Sequence, residues 1–202
     1  MKKNIKDLSK LDKIVQIPTF VVFSKVSLKT TEVDFFIKNI KNKNLFMVKI
    51  FLNEKESFFL NVKKEKLKEA IQYMLLRSNE VIVQEMINDS DYSGYATIFK
   101  EETTINIAPG LIFGLIDGHV TPKNIVVSNK DFAILKIKSP KIIKGSFFID
   151  NKYVIKKSEC DISLSLKLMR LLSKISDHFK KECKVSFTVK DNDFKFLSID
   201  LL

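Results

Sequence analysis

The sequence feature that most constrains the fold is a long apolar stripe with helical spacing near the C-terminus. Its members recur every three or four residues and are Ile162, Leu166, Met169, Leu172, Ile175 and Phe179. Apolar residues at this spacing lie on one face of a helix. Ser158, followed by Asp161 three residues later, is typical of a capping-box start. A helix of this length buries its stripe against a broad apolar surface, so we expect it to cover one face of a sheet.

Short segments rich in β-branched and aromatic residues predict the strands of that sheet. They cover residues 14–23, 45–51, 58–62, 81–83, 95–99, 104–108, 146–149, 153–156, 185–189 and 194–199. Two further helices are predicted over residues 31–40 and 62–77, the second with Asn61 as its N-cap. This order predicts an α+β fold with mixed or antiparallel sheets, in which residues 1–86 and 87–202 form two lobes of one compact unit.

The chain is strongly basic, with a formal charge of +11 over 202 residues. Arg77 and Arg170 are its only arginines, and the lysines are spread through most segments. Base readout and bidentate phosphate binding favour the planar guanidinium, so we do not expect a dedicated nucleic-acid partner. The apolar runs are too short to span a bilayer or to form a signal peptide, and we expect a cytoplasmic protein without a membrane partner.

Cysteine and histidine usage gives no sign of a metal centre. Cys160 and Cys183 lack CxxC spacing, and with His119 and His178 they form no recognisable zinc pattern. We interpret both cysteines as buried, reduced thiols.

Three central segments carry a resemblance to a known family. Residues 81–87 (VIVQEMI) and 93–99 (SGYATIF) are similar to V-V-Q-x-M-V and S-G-V-x-F-T, and residues 110–122 (GLIFGLIDGHVTP) to G-L-G-E-x-V-V-x-G-x-V-T-P-D. These are signatures of the ATP-grasp nucleotide-binding domain of phosphoenolpyruvate synthase and pyruvate phosphate dikinase. The chain is therefore interpreted as a small, degenerate relative of that domain.

Weaker matches at both ends extend this resemblance. Residues 17–22 and 46–49 resemble the family's V-P-P-G-F-V-V and F-A-V-R-S-S strands, and residues 184–189 and 196–200 fall on D-I-E-F-x-V and I-L-Q-x-R. The resemblance implies ATP as a ligand, with Gln84, Glu85 and Met86 as the adenine hinge at a lobe junction. A buried strand without a ligand would show the same residues 81–86. Lys49 stands where the family has a strand arginine, which keeps the charge but loses the fork geometry.

The residues that bind the phosphates and the metal in the family are not retained in this chain. The family holds the metal-nucleotide with a glutamate and a glutamine, and the aligned residues here are Ser186 and Ser198. The family's arginine that contacts the phosphates is replaced by Asp200. Magnesium prefers anionic oxygen ligands and a triphosphate needs cations, so magnesium is not expected at Ser186. Ile112 and Phe113 also replace a glycine and an acid, and the N-terminal glycine-rich lysine element is reduced to Lys6 and Lys10.

No residue of the chain is predicted to be catalytic. Neither His119 nor His178 has the family's T-S-H context, and no segment resembles the phosphohistidine or pyruvate-binding domains, which we expect on a protein partner. Three hypotheses follow. The favoured one is a nucleotide-binding scaffold or regulator with weak or no catalysis; the alternative is an active ATP-binding subunit of a split synthase; a minor third is a basic RNA- or anion-binding protein.

Overall fold

The computed structural model describes residues 7, 9–40, 45–52, 55–150, 152–158 and 163–202, and it divides into two compact units. The first unit covers residues 18–87, and the second contains residues 88–202 together with the described residues that precede Pro18. The assignment of residues 1–86 and 87–202 as the two lobes of a nucleotide-binding domain stays a prediction.

The first unit contains a four-stranded antiparallel sheet and two helices. Its strands are β1 (Phe20–Ser24), β2 (Phe46–Leu52), β3 (Lys55–Val62) and β4 (Glu80–Glu85), and its helices are α1 (Glu32–Asn39) and α2 (Leu67–Arg77). The order across the sheet is β1-β4-β2-β3. The predicted strand over residues 14–23 is thus realised only from Phe20 onward.

Alternate residues of β2 and β4 build the core of the first unit. Val48 of β2 and Val83 of β4 are register partners and lie in one buried cluster with the apolar side of α2. That side of α2 consists of Leu67, Ile71, Met74 and Leu75. Because neighbouring residues of a strand point to opposite faces, the residues between these core positions face away from the helices.

The predicted N-cap of α2 is wrong. Asn61 belongs to β3, has a positive φ of 56°, and its backbone N–H donates to Met86 Sδ at 3.4 Å. A 3-10 turn, Lys64–Lys66, intervenes before α2 begins at Leu67. The helix starts later than predicted because β3 continues through Val62.

The second unit contains a six-stranded antiparallel sheet, a two-stranded sheet and one long helix. Its strands are β5 (Tyr92–Ile98), β6 (Glu102–Pro109), β7 (Lys123–Ser128), β8 (Ile134–Lys138), β9 (Lys144–Ile149), β10 (Lys152–Lys157), β11 (Cys183–Lys190) and β12 (Asp193–Leu201), and its helices are α3 (Phe113–Ile116) and α4 (Leu166–Phe179). The larger sheet has the order β12-β11-β5-β6-β7-β8, and β9 pairs with β10. The predicted α+β class with antiparallel sheets and a long helix is confirmed.

Helix α4 is the helix that the apolar stripe predicts. Met169, Leu172 and Ile175 are buried as predicted, and the helix packs against β5. The predicted burial of Leu166 is wrong, since it is exposed at the start of the helix and Leu168 is buried instead, and Phe179 is half-buried. Its N-cap is Ser165, whose hydroxyl accepts from Lys167 N at 3.2 Å. The predicted start at Ser158 is therefore wrong, since Ser158 lies before the helix and its N–H donates to Ile143 O. Asp161 and Ile162 lie outside the described residues.

Two strands of the larger sheet have no counterpart in the sequence-based prediction. Strands β7 and β8 fall in residues 123–138, to which we assign no strand from the sequence, although Ile125-Val126-Val127 is a β-branched run. The hairpin of β5 and β6, by contrast, lies within three residues of the predicted strand pair 95–99 and 104–108. The helices of the described residues are all too short or too polar for a membrane span.

Burial makes Cys183 an unreactive thiol. Its side chain on β11 is fully buried, and desolvation raises its pKa to about 11. Cys160 lies outside the described residues. In a Cys160→Ser variant, which leaves Cys183 as the only thiol, we expect alkylation by iodoacetamide at pH 8.5 to be about 100-fold slower in the folded protein than in guanidinium, because only the thiolate reacts. Equal rates in the two conditions would show that Cys183 is accessible.

Candidate functional site

A row of polar side chains crosses all six strands of the larger sheet on one face. Its members are direct register neighbours and run, from β12 to β8, Ser198, Ser186, Tyr95, Asn106, Asn124 and Lys138. The residues next to the row members along β5 and β6, such as Ala96 and Ile105, are buried. Because strand residues alternate between faces, one face of the sheet is apolar and this one is polar.

Ser186 and Ser198 lie side by side at the β11–β12 end of this row. They are register partners on adjacent strands, and the Ser198 hydroxyl donates to Ser186 Oγ at 3.0 Å. The two positions that the resemblance assigns to the metal-nucleotide therefore occupy neighbouring strands. The pair offers two neutral oxygens and no carboxylate, so it supplies hydrogen bonds but no negative charge.

Charged side chains lie two positions from the serine pair on the same two strands. Asp200 is the register partner of Lys184, and Lys184 Nζ lies 4.3 Å from the centre of the Tyr95 ring. Both Lys184 and Asp200 are exposed. An ammonium over an aromatic face is attracted by the ring quadrupole. Asp200, which stands where the resemblance places an arginine, therefore has a lysine as its register partner.

Amide groups form the middle of the row. Asn124 Nδ2 donates to Asn106 Oδ1 at 3.1 Å, and both side chains are half-buried. Each amide has further donors and acceptors beyond this one bond. The middle of the sheet face therefore presents neutral groups that can both donate and accept hydrogen bonds.

Of the predicted site residues, Lys49 and Gln84 share one face of the first unit's sheet. Lys49 on β2 is the register partner of Ile82, and Met47, also on β2, is the partner of Gln84. This face is opposite the helix-covered face that contains Val48 and Val83. Lys49 is 2% exposed and Gln84 is 0% exposed. The two side chains point to the same side, and neither is open to solvent.

Glu85 and Met86, the other two predicted site residues, use their backbone N–H groups within the sheet. Glu85 N donates to Thr19 O and Met86 N donates to Leu45 O, both at 2.8 Å. The Met86 side chain is buried beside Asn61, as its sulfur accepts the Asn61 N–H. A purine edge at these residues would therefore be bound through groups other than the two N–H groups.

The segment that resembles the glycine-rich signature is tied to β9. Gly110 has a positive φ of 77°, and Leu111 N donates to Ser146 O at 2.6 Å. Ile112 and Phe113 are both buried. Sequence patterns alone did not identify Ser146 as the partner of this segment, because the contact joins residues 35 positions apart.

A buried chain of hydroxyl groups supports the same segment from β5. The Ser93 hydroxyl donates to Gly110 O at 2.6 Å and lies 2.9 Å from Thr188 Oγ1. Thr188 Oγ1 in turn lies 2.5 Å from Ser90 Oγ. All three side chains are buried, and each finds its hydrogen-bond partners inside the fold.

The described residues contain no group of three or more His, Cys, Asp or Glu side chains that could hold a metal ion. His119 and His178 are both exposed. The His178 ring packs edge-on against Phe179 at 5.1 Å between ring centres. Neither histidine thus belongs to a cluster of potential ligands within the described part of the chain.

No family model matches the sequence, and no curated protein matches it. Solved structures do match. D-alanine-D-alanine ligase from Helicobacter pylori is 14% identical, with a TM-score of 0.53 over 98% of this chain and 52% of that chain. The corresponding ligase from Bacillus anthracis, complexed with ATP, is 12% identical, with a TM-score of 0.54 over 98% and 52%.

A third match is a RiPP-associated ATP-grasp ligase from Chryseobacterium gregarium, solved with ADP and a leader and core peptide. It is 12% identical, with a TM-score of 0.51 over 96% of this chain and 50% of that chain. The chain therefore has the ATP-grasp fold and spans about half the length of these ligases. These three structures support an ATP-grasp domain in general, and not the synthase and dikinase branch in particular.

Proposed function

We propose that the chain is a nucleotide-binding module of ATP-grasp fold, derived from the phosphoenolpyruvate synthase type, that acts as a scaffold or regulator with weak or no catalysis. Two observations support nucleotide binding. ATP-grasp structures that share the fold were solved with ATP and with ADP. In addition, Lys49 and Gln84, which the resemblance assigns to the nucleotide, lie on the same face of one sheet.

The hydrogen-bonded pair of Ser186 and Ser198 carries the second half of the proposal. The resemblance places the ligands of the metal-nucleotide at these two positions, and the structure sets their hydroxyls 3.0 Å apart on neighbouring strands. Magnesium binds to proteins through one or two carboxylates and phosphate oxygens. Because both side chains are neutral, the module would bind nucleotide without positioning the metal for phosphoryl transfer.

Nucleotide contact at Lys49 requires a change of conformation. The side chain is 2% exposed, so an ATP phosphate reaches its Nζ only after neighbouring groups move aside. The free energy that this rearrangement costs weakens the observed binding. We therefore expect a low affinity, with a Kd of about 1 mM.

Calorimetry with ATP, in the presence and absence of magnesium, tests the proposal. We expect weak binding that magnesium strengthens less than about threefold, and no release of phosphate or AMP, because neutral serines add little to metal coordination. The binding heat should disappear in Lys49→Met and persist in the matched control Lys152→Met, which removes an exposed lysine of β10.

Two results would contradict the proposal in different ways. An absence of both heat and thermal stabilisation at several millimolar nucleotide would exclude nucleotide binding. Magnesium-dependent ATP turnover that vanishes in Lys49→Ala would instead favour the alternative, an ATP-binding subunit of a split synthase whose partner carries the phosphohistidine and pyruvate-binding domains. The charge that Lys49 keeps at its strand position is the observation that favours this alternative.

A further inference from the structure

Strand β8 forms an open edge of the six-stranded sheet. It pairs with β7 on one side, and no described strand pairs with its other side. All five residues of Ile134–Lys138 are exposed. An edge strand in this position presents a row of backbone N–H and C=O groups to which another strand can bind.

The side chains of β8 divide into an apolar and a basic side. Ile137 lies opposite the buried Ile125, and Ile134 lies opposite the buried Val127. Lys138 lies opposite Asn124 of the polar row. A bulge between the two register segments leaves Leu135 unpaired. The edge is therefore amphipathic, with aliphatic side chains facing one side of the sheet and lysines the other.

The apolar side of this edge is unusually exposed. Ile134, Leu135 and Ile137 are 52%, 58% and 51% exposed, and Ile142 shortly after the strand is 58% exposed. The apolar side also continues into a cavity of about 650 Å³ beside α4. The cavity lining is mixed: it has apolar side chains, among them Leu135, Met169 and Leu172, and charged ones, which are Lys100, Glu101, Glu102, Lys130 and Asp177. Aliphatic side chains of a partner can therefore pack on the exposed edge itself, while the charged part of the cavity stays hydrated.

The chain segment that begins with β8 is basic. Residues 134–158 contain seven lysines and a single acidic residue, Asp150. Lysines on an edge oppose pairing between identical copies. Antiparallel pairing of two β8 strands about Lys136 would set the two Lys136 side chains opposite each other, and like charges in that position are destabilising. The same lysines attract a strand that carries carboxylates.

We propose that β8 is a docking edge for an extended acidic segment of a partner protein, which adds to the sheet as a seventh strand. Residues of that segment alternate between aliphatic side chains, which pack on Leu135 and Ile137, and carboxylates, which pair with Lys136 and Lys138. Backbone hydrogen bonds provide affinity in this mode of recognition, and the alternating side chains provide specificity. The proposal concerns an edge of the second unit and does not depend on nucleotide binding.

An acidic strand fits this edge better than single-stranded RNA does. Bases bind proteins largely by stacking on aromatic side chains or arginine. Residues 134–142 contain neither, and their exposed apolar side chains are aliphatic. The backbone donors and acceptors of β8 repeat at about 3.3 Å per residue, and the backbone of another β-strand has the same repeat.

The test uses the full chain and a labelled eight-residue peptide of alternating valine and glutamate, with fluorescence anisotropy at 150 mM salt. We expect saturable binding that falls at least tenfold in Lys136→Glu/Lys138→Glu. The control Lys152→Glu/Lys157→Glu makes the same change of net charge at two exposed lysines of β10 and should alter affinity less than twofold. A peptide N-methylated at alternate residues cannot complete the ladder and should bind at least tenfold more weakly.

Three outcomes would overturn the proposal. Equal binding of the methylated and unmethylated peptides would show that no strand is added. An equal loss of peptide affinity in both charge-reversal variants would show a diffuse attraction to the whole basic surface. Competition by a 12-nucleotide uridine RNA, with loss of RNA binding in Lys136→Glu/Lys138→Glu, would assign this edge to nucleic acid instead.

Discussion

A Gly110→Ala substitution is expected to lower the free energy of unfolding by about 3 kcal/mol or more. Gly110 has a φ of +77°, and a Cβ added there would lie 1.9 Å from the backbone oxygen of Ser146. Neither partner can move easily, because Leu111 N donates to that same oxygen and the Gly110 carbonyl accepts from Ser93. For a chain of this size the loss corresponds to a fall in Tm of about 10 °C, measurable by thermal denaturation.

Gly118→Ala provides the matched control for this prediction. Gly118 has nearly the same backbone conformation, with a φ of +72°, but an added Cβ would meet nothing within 4 Å. Only the cost of the left-handed conformation remains, which is about 1 kcal/mol. We expect a fall in Tm of about 3 °C for Gly118→Ala. Similar losses in the two variants would mean that the contact of Gly110 with Ser146 does not constrain the fold.

The triple variant Ser186→Glu/Ser198→Gln/Asp200→Arg is expected to bind magnesium-ATP at least tenfold more tightly than the natural chain. These changes install the residues that the resemblance predicts for the metal and the phosphates. The structure places Ser186 and Ser198 opposite each other on β11 and β12, with Asp200 two positions further along β12. A carboxylate binds the metal, and a guanidinium binds phosphate oxygens with two parallel hydrogen bonds.

The control for this gain is the same triple variant with glutamine in place of glutamate at position 186. This control keeps the size of the side chain at position 186 and the added arginine, but it lacks the negative charge that binds magnesium. The two triple variants should therefore differ in the presence of magnesium and agree in the presence of a chelator, as measured by calorimetry. Equal affinities in magnesium would show that position 186 does not contact the metal-nucleotide.

Strands and helices that bury one face were predictable from sequence because their apolar spacing reports the burial. The stripe of α4 and the hairpin of β5 and β6 follow this rule. Strand β8 does not, since it lies at a sheet edge and all its side chains are exposed. Its sequence, Ile-Leu-Lys-Ile-Lys, breaks the alternation at Leu135, and its two sides become distinct only through pairing with β7.

Helix starts were less predictable because tertiary contacts override local capping preferences. Asn61 is a favourable N-cap residue by type, but the pairing of β3 with β2 continues to its neighbour Val62 and holds Asn61 within the strand. Ser165 is the observed cap of α4, although the capping-box pattern selects Ser158. A capping residue identifies a helix start only where the chain is free to leave its preceding element.

The candidate site was predictable in its strand positions but not in its accessibility. The resemblance assigned Ser186 and Ser198 to the metal-nucleotide on two strands, and the structure pairs the two residues in the register of β11 and β12. No sequence pattern indicated that Lys49 is 2% exposed, because a lysine is ordinarily at the surface. The roles of Lys49, Gln84, Glu85 and Met86 in nucleotide binding stay predictions.

The hydrogen bond between the two serine hydroxyls has a consequence for how this strand pair holds together. A glutamate at position 186, as the resemblance predicts, would add one negative charge to this strand pair, and a nearby cation would stabilise it. Two hydroxyls satisfy one another directly, as Ser198 and Ser186 do. We therefore expect a chelating agent to leave the stability of this strand pair unchanged.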